Sequence, residues 1–108
     1  MNEKTMNPED ILKAIAHPVR LKFLAWLKEP ENHFNQAQPF TMGVCAHQFE
    51  ISGLSQSTVS SHLAALQAAG LIKCRKVGQW SFFERDEDTI AKFLEHLTHP
   101  LQDSQVLI

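Results

Sequence analysis

A chain of 108 residues holds one compact domain with a core of its own and leaves no room for a second, catalytic domain. Its 44% apolar and 20% charged residues exclude a disordered tail. No run approaches the roughly 18 consecutive apolar residues of a membrane span, and Met1-Asn2-Glu3-Lys4 does not open a signal peptide, so a soluble, cytoplasmic protein with no membrane partner is expected.

The net charge of −2 is unevenly divided. Residues 1–54 carry five Lys or Arg against six Asp or Glu, residues 55–85 four against one, and residues 86–108 one against five. The resulting −1, +3 and −4 gather positive charge in one segment, as phosphate binding requires, although four basic residues also fall within ordinary fluctuation. Two cysteines, Cys45 and Cys74, are too few for a disulfide framework and read as reduced thiols.

Asn7-Pro8-Glu9-Asp10 marks a helix start, with Asn7 as N-cap, Pro8 at the first position and acidic residues in the first turn. Ile11, Leu12, Ile15 and Ala16 form its apolar stripe. His17-Pro18 stops this helix and opens a second from Pro18 to about Lys28, with a face of Leu21, Leu24, Ala25 and Leu27 beside Phe23 and Trp26. Residues 29–40 have two prolines and no clean period, and read as a long connector. Thr41 caps a predicted third helix through Ile51, with Val44, Cys45, Gln48 and Phe49 on one side, and Gly53 ends it. Ser55 caps a fourth helix to about Ala69, terminated by Gly70.

Helix, glycine turn and capped helix over residues 50–70 match a helix-turn-helix. In the second of these helices Val59, Leu63, Leu66 and Ala69 recur at core spacing. The remaining surface carries Ser55, Gln56, Ser57, Thr58, Ser60, Ser61 and His62. A merely solvated helix face fills with Lys and Glu, whereas hydroxyls lower helix propensity. Short hydroxyls and one amide suit close entry into a major groove, where Gln can read adenine and Ser or Thr can reach bases or phosphates. A plain polar face or a protein interface are the other readings of this surface.

Residues 73–85 read as two strands about a tight turn, with Gly78 at the first turn position of a type II′ hairpin. A hairpin directly after a recognition helix is a wing. Lys73, Arg75, Lys76 and Arg85 would bind phosphate there, and Gln79 at the tip would meet a groove or the backbone; the alternative is a wet sheet face with basic residues on it. From Asp86 the chain turns acidic and then apolar-periodic through Ile90, Ala91, Phe93, Leu94 and Leu97, with Asp86 or Asp88 as cap. So many apolar residues in a last helix suit packing against a symmetry mate.

These strings resemble the ArsR/SmtB family of winged-helix repressors. The resemblance runs through Ala16-His17-Pro18-Val19-Arg20-Leu21, the stretch 53–72, and a wing with Arg75, Gly78 and Phe82-Phe83-Glu84-Arg85. It implies homodimers joined by the first and last helices, which bind imperfect inverted repeats in double-stranded promoter DNA and leave it when an effector binds. It also implies residues 55–69 as recognition helix and 73–85 as wing. Relatives that sense metals carry a cysteine pair near the third helix, but Cys45 is flanked by Val44, Ala46 and His47. Asp88, His96 and His99 do not repeat the spacing of the metal set in the last helix.

Cys45 therefore reads as a small buried hydrophobe, with a thiol switch and a metal ligand as alternatives. Cys45 and His47, two apart on a helix, would point in different directions. His17 reads as structural or as an interface residue.

The expected architecture is mainly α: a winged helix-turn-helix of about five helices with a two-stranded β-hairpin wing, one domain over 7–97 and a C-terminal tail over 98–108. The expected function is a dimeric, sequence-specific transcriptional repressor. No nucleophile-base-acid set or phosphate-cradling glycine loop is present, so no enzyme, cofactor or resident metal is expected. A winged helix reused as a protein-interaction module is the competing class, and would carry a neutral wing and an apolar recognition face.

Overall fold

The computed structural model describes residues 6–102. Helix α1 spans Pro8–Ile15, α2 Pro18–Lys28, α3 Gln56–Ala68 and α4 Glu87–Gln102; strands β1 (Val44–Cys45), β2 (Ile72–Val77) and β3 (Trp80–Arg85) form one antiparallel sheet in the order β1-β3-β2. Three short 3-10 segments, Pro30–Asn32, Phe40–Met42 and Ala46–Ser52, lie between α2 and α3. Helices and a hairpin wing are thus in the expected order.

Local chemistry sets the helix ends. Asn7 Oδ1 accepts from the backbone N–H of Glu9 and Asp10 at 3.1 and 3.2 Å. Ser55 Oγ accepts from Thr58 N–H at 3.2 Å, and Asp86 Oδ1 accepts from Thr89 N–H at 3.1 Å. Helix α3 closes in a Schellman arrangement: Leu71 N–H donates to Leu66 O at 3.0 Å and Gly70 N–H to Gln67 O at 2.9 Å, with Gly70 at φ +85°. At the wing tip Gly78 has φ +61° and Gln79 is not in the positive region, as a type II′ turn requires.

The core joins α1, α2, α3 and the inner face of the sheet. Phe49 sits 4.8 Å from Phe23 and 5.0 Å from Phe34, ring centre to ring centre, and Trp26 flanks both Phe23 and Phe34. Ile11, Leu63, Leu66, Leu71 and Phe93 complete it. Each fully buried large side chain contributes about 1.5–3 kcal/mol, so the connector is anchored chiefly by Phe34.

Four local expectations are corrected. Thr41 does not cap a helix through Ile51: it lies in a 3-10 turn, and the next residues form β1 and a second 3-10 segment ending at Gly53. Gly43 is the cause, because its backbone lies so close to β3 that a Cβ would stand 2.9 Å from the Phe83 carbonyl oxygen. That approach puts Val44 opposite Phe83 and Cys45 opposite Phe82, adding a strand beside the wing. In α2 the buried residues are Phe23, Leu24 and Leu27, whereas Leu21 is 51% exposed and Ala25 exposed, because the aromatic side chains fill the inward volume. In α1, Ile11 and Ala14 are buried but Leu12 is exposed. Helical geometry also continues through Thr98–Gln102, where a tail is expected: Pro100 lacks an N–H, which removes one intrahelical bond in the last turn without ending it. The rest of the tail and Met1-Asn2-Glu3-Lys4 lie outside the described residues.

The connector is also held by a side chain. Gln36 donates from Nε2 to Gly43 O at 2.9 Å and accepts at Oε1 from Cys45 N–H at 2.9 Å.

Candidate nucleic-acid interface

With Val59, Leu63 and Leu66 buried, α3 turns Gln56, Ser57, Thr58, Ser60 and Ser61 to the surface, and Ser55 is exposed at its start. The hydroxyls of this first turn are linked: Ser55 Oγ lies 3.3 Å from Ser57 Oγ and donates to Thr58 Oγ1 at 2.9 Å. Gln56, Ser60 and Ser61 make no side-chain hydrogen bond among the described residues, so they are free to meet a ligand.

His62 stands apart from this group. It is half-buried, and its Nδ1 accepts from Arg20 Nε at 3.0 Å, while its ring meets Phe23 edge-on at 6.2 Å and lies 6.1 Å from His17. Burial first, then the charges of Arg20 and His17, hold its pKa below the ordinary histidine value of 6.5. It therefore faces the α1–α2 corner as a neutral acceptor, away from the exposed face of α3 on which it is expected.

The wing divides its basic residues. Alternation along β2 puts Lys73 and Arg75 on the outer face and Lys76 on the other, opposite Glu84, Phe82 and Ser81 respectively. Arg75 and Lys76 are exposed and make no ion pair among the described residues. Lys73 lies 3.9 Å from Glu84 with both side chains about half exposed, a pairing that solvent weakens. Gly78 and Gln79 are exposed at the tip.

Arg85 is not a surface cation. Its side chain is 14% exposed, Nε and Nη2 donate to the Glu87 carboxylate at 2.8 and 3.2 Å, and Nη1 donates to Leu24 O at 3.1 Å. Its charge is spent on joining β3, α4 and α2 rather than facing solvent.

His47 links α3 and the wing. It lines a shallow groove with Gln56, Val59 and Ser60, and its ring stands 5.6 Å from that of Trp80, which is 44% exposed on β3. Cys45 is buried, and its Sγ lies 3.1 Å from His47 Nδ1. The two meet because Cys45 is a strand residue and the chain turns immediately into a 3-10 segment, so the divergence expected of two neighbours on one helix does not arise. Cys74 pairs with Phe83 and Cys45 with Phe82, so the thiols lie on opposite faces of the sheet and cannot bond without rearrangement. Arg20, Gln36 and Trp80 were invisible as site residues in the sequence, since their partners are set by long-range packing.

A capped helix with a short polar face, followed at once by a basic hairpin on a helical core, defines a winged helix-turn-helix DNA-binding protein. A family model described as "Bacterial regulatory protein, arsR family" matches residues 49–73, which run from the last 3-10 segment through α3 into β2. The uncharacterized HTH-type transcriptional regulator YbzH of Bacillus subtilis is 38% identical over 96 residues, covering 85% of this chain and 96% of that protein. The chain belongs to the ArsR family of helix-turn-helix transcriptional regulators, and it is a DNA-binding regulator rather than an enzyme.

The nodulation protein NolR of Rhizobium meliloti is 33% identical over 87 residues, covering 81% of this chain and 62% of that protein. Among solved structures, reduced HlyU from Vibrio cholerae aligns with a TM-score of 0.56 at 28% identity, covering 89% of this chain and 88% of that one. NolR from Sinorhizobium fredii aligns at 0.58 and 27%, covering 91% and 96%.

Proposed function

We propose that the chain represses transcription as a homodimer, placing two copies of α3 in successive major grooves of an inverted-repeat promoter site, and that an effector releases it. The reading is carried by one continuous surface: the free side chains of Gln56 and Ser60 border His47, which in turn meets Trp80 on the wing. Gln56, Thr58 and Ser61 read base edges, Ser55 and Ser57 meet the backbone, and Arg75, Lys76 and Gln79 hold the flanking phosphates. Leu12 on α1 and Leu94 and Leu101 on α4 are 47%, 53% and 75% exposed, and they suit the faces that a second copy would cover. Residues 7–97, together with the last turn of α4, serve as one DNA-binding and dimerisation domain.

Fluorescence anisotropy with a duplex from the chain's own upstream region tests this against an unrelated duplex. Selective binding by a dimer is the expected result. Binding equal on both duplexes defeats the sequence-specific reading, and binding to neither favours the protein-interaction module, which the polar face of α3 argues against.

The contact between Cys45 Sγ and His47 Nδ1 favours a thiol-based response as the effector step. Peroxide would transfer one OH to the Cys45 thiolate sulfur as its O–O bond breaks and hydroxide departs, giving a sulfenic acid beside His47. Loss of DNA binding on peroxide treatment, restored by thiol reductant and absent in Cys45→Ser, is the expected outcome. A Cys45→Ser protein that still responds excludes this sensor.

A further inference from the structure

We propose that Arg20 is a positioning residue for DNA binding, holding the reading helix through a neutral His62, and that a proton on His62 releases that hold. The inference rests on α3 being the reading helix.

One guanidinium spans three helices. Arg20, in the first turn of α2, donates from Nε to His62 Nδ1 on α3 at 3.0 Å and from Nη1 to Ala14 O in the last turn of α1 at 3.1 Å. The second bond satisfies a helix-terminal carbonyl that α1 itself leaves open, since His17 and Pro18 turn the chain away. The first fixes His62, whose ring is also seated on the edge of Phe23. Rotation of α3 about its axis must break this bond, and such a rotation would displace Thr58 and Ser61 on the same helix.

The chemistry makes the hold conditional. An arginine Nε–H can donate to Nδ1 only when that nitrogen has a lone pair, which requires a neutral imidazole with its proton on Nε2. Arginine does not deprotonate, so His62 alone can change state. Protonation at Nδ1 opposes two donors and two like charges at the same 3.0 Å. The groups facing this pair are His17 at the helix corner, 6.1 Å from the His62 ring, and Asp10 and Lys13 of α1, which line the cleft beside Arg20 with opposite signs.

The sign of the pH response separates this role from a phosphate contact. If His62 touched phosphate, its proton would add a cation and strengthen binding. As the acceptor for Arg20, its proton weakens binding.

The test is anisotropy with an upstream duplex from about pH 8 down to about pH 5.5 at fixed ionic strength, with circular dichroism confirming fold at each pH. The unchanged chain is expected to lose several-fold in affinity on acidification, less than the roughly tenfold that a histidine at its ordinary pKa would give by about pH 5.5. His62→Gln keeps an acceptor but cannot titrate, and its affinity ratio across the range should stay within about twofold. Arg20→Lys keeps the charge but cannot fork to both acceptors, so it should bind more weakly at neutral pH with a flattened profile.

Affinity that rises on acidification overturns the proposal, as does an unaltered profile in His62→Gln. In the free protein, nitrogen NMR should show Arg20 Nε shifting with the same midpoint as His62. Should the unchanged chain bind no DNA, the reading of α3 fails while this measurement still decides the tie: an Arg20 signal that ignores the His62 titration refutes it.

Discussion

Arg85 Nη1 donates to the carbonyl oxygen of Leu24 at 3.1 Å, so the foot of the wing is tied to the last turns of α2 across 61 residues of chain. With Glu87 on the other side of the guanidinium, the wing's angle to the helical core is set by one side chain. Arg85→Ala removes this part-buried charged hydrogen bond together with the pairing to Glu87 and is expected to cost about 1.5–3 kcal/mol of stability in urea denaturation. Its slope of affinity against salt should not change. A reduced slope with unchanged stability would return Arg85 to the DNA surface.

Arg75 and Lys76 should behave in the opposite way. Each is solvent-facing, so alanine there is expected to alter stability by no more than about 0.5 kcal/mol. Each should weaken binding to all duplexes and lower the salt slope by about 0.9, the value for one released counterion. Gln56→Ala and Thr58→Ala should instead change which duplex is preferred, with a lost base contact worth about 1–3 kcal/mol. Competition between duplexes of altered sequence checks this.

Gly43→Ala combines two penalties. Its φ of +99° disfavours any side chain, and the new Cβ would press on the Phe83 carbonyl at 2.9 Å. A loss of about 2–4 kcal/mol is expected, with β1 pulled from β3. Gly53→Ala, at φ +81° with open space around the new carbon, should cost only about 1 kcal/mol. Equal melting temperatures for the two variants would show that the contact with Phe83 is not tight.

Folding stability should also depend on pH through His62. Its pKa is lowered in the folded chain by burial, Arg20 and His17, so the unfolded chain takes the proton first. The contribution is fully present above the unfolded value of about 6.5 and is lost as pH falls through the lower folded value. Denaturation midpoints measured on either side of that window should fall on acidification by more in the unchanged chain than in His62→Gln. Parallel curves for the two proteins would assign the acid sensitivity to other groups.

Leu94 projects from α4 with about half its surface exposed. If a second copy covers it, Leu94→Glu places a charge in an apolar contact and should convert a dimer to a monomer in sedimentation, with weaker binding to a two-half-site duplex. An unchanged sedimentation coefficient would move the dimer contact off this face.

The helix-turn-helix and wing were legible because their signals are local. Asn7, Ser55 and Asp86 announce caps through bonds to residues two or three positions on, and Gly70 and Gly78 announce stops through backbone geometry. What escaped depends on distant partners. Val44 and Cys45 become a strand only because Phe83 and Phe82 lie alongside, and within residues 41–51 only Gly43 hints at that close approach. Leu21 fits a helical stripe as well as Phe23 does, yet Phe49 and Trp26 pack on the aromatic ring. In the site, the hydroxyl face of α3 was readable from composition, whereas Arg85 and His62 were counted as DNA-facing because sequence cannot show that Leu24 and Arg20 claim them first.

The amide of Gln36 has the same donor and acceptor as a peptide unit, and it sits where one peptide of a fourth strand would. By bonding Gly43 O and Cys45 N–H together it occupies the outward-facing backbone groups of β1. An open strand margin is a template for pairing with another chain, and this glutamine blocks it at the cost of a single residue. Its replacement by alanine would leave a short sticky border beside the wing, so the first symptom should be concentration-dependent aggregation of protein that is still folded.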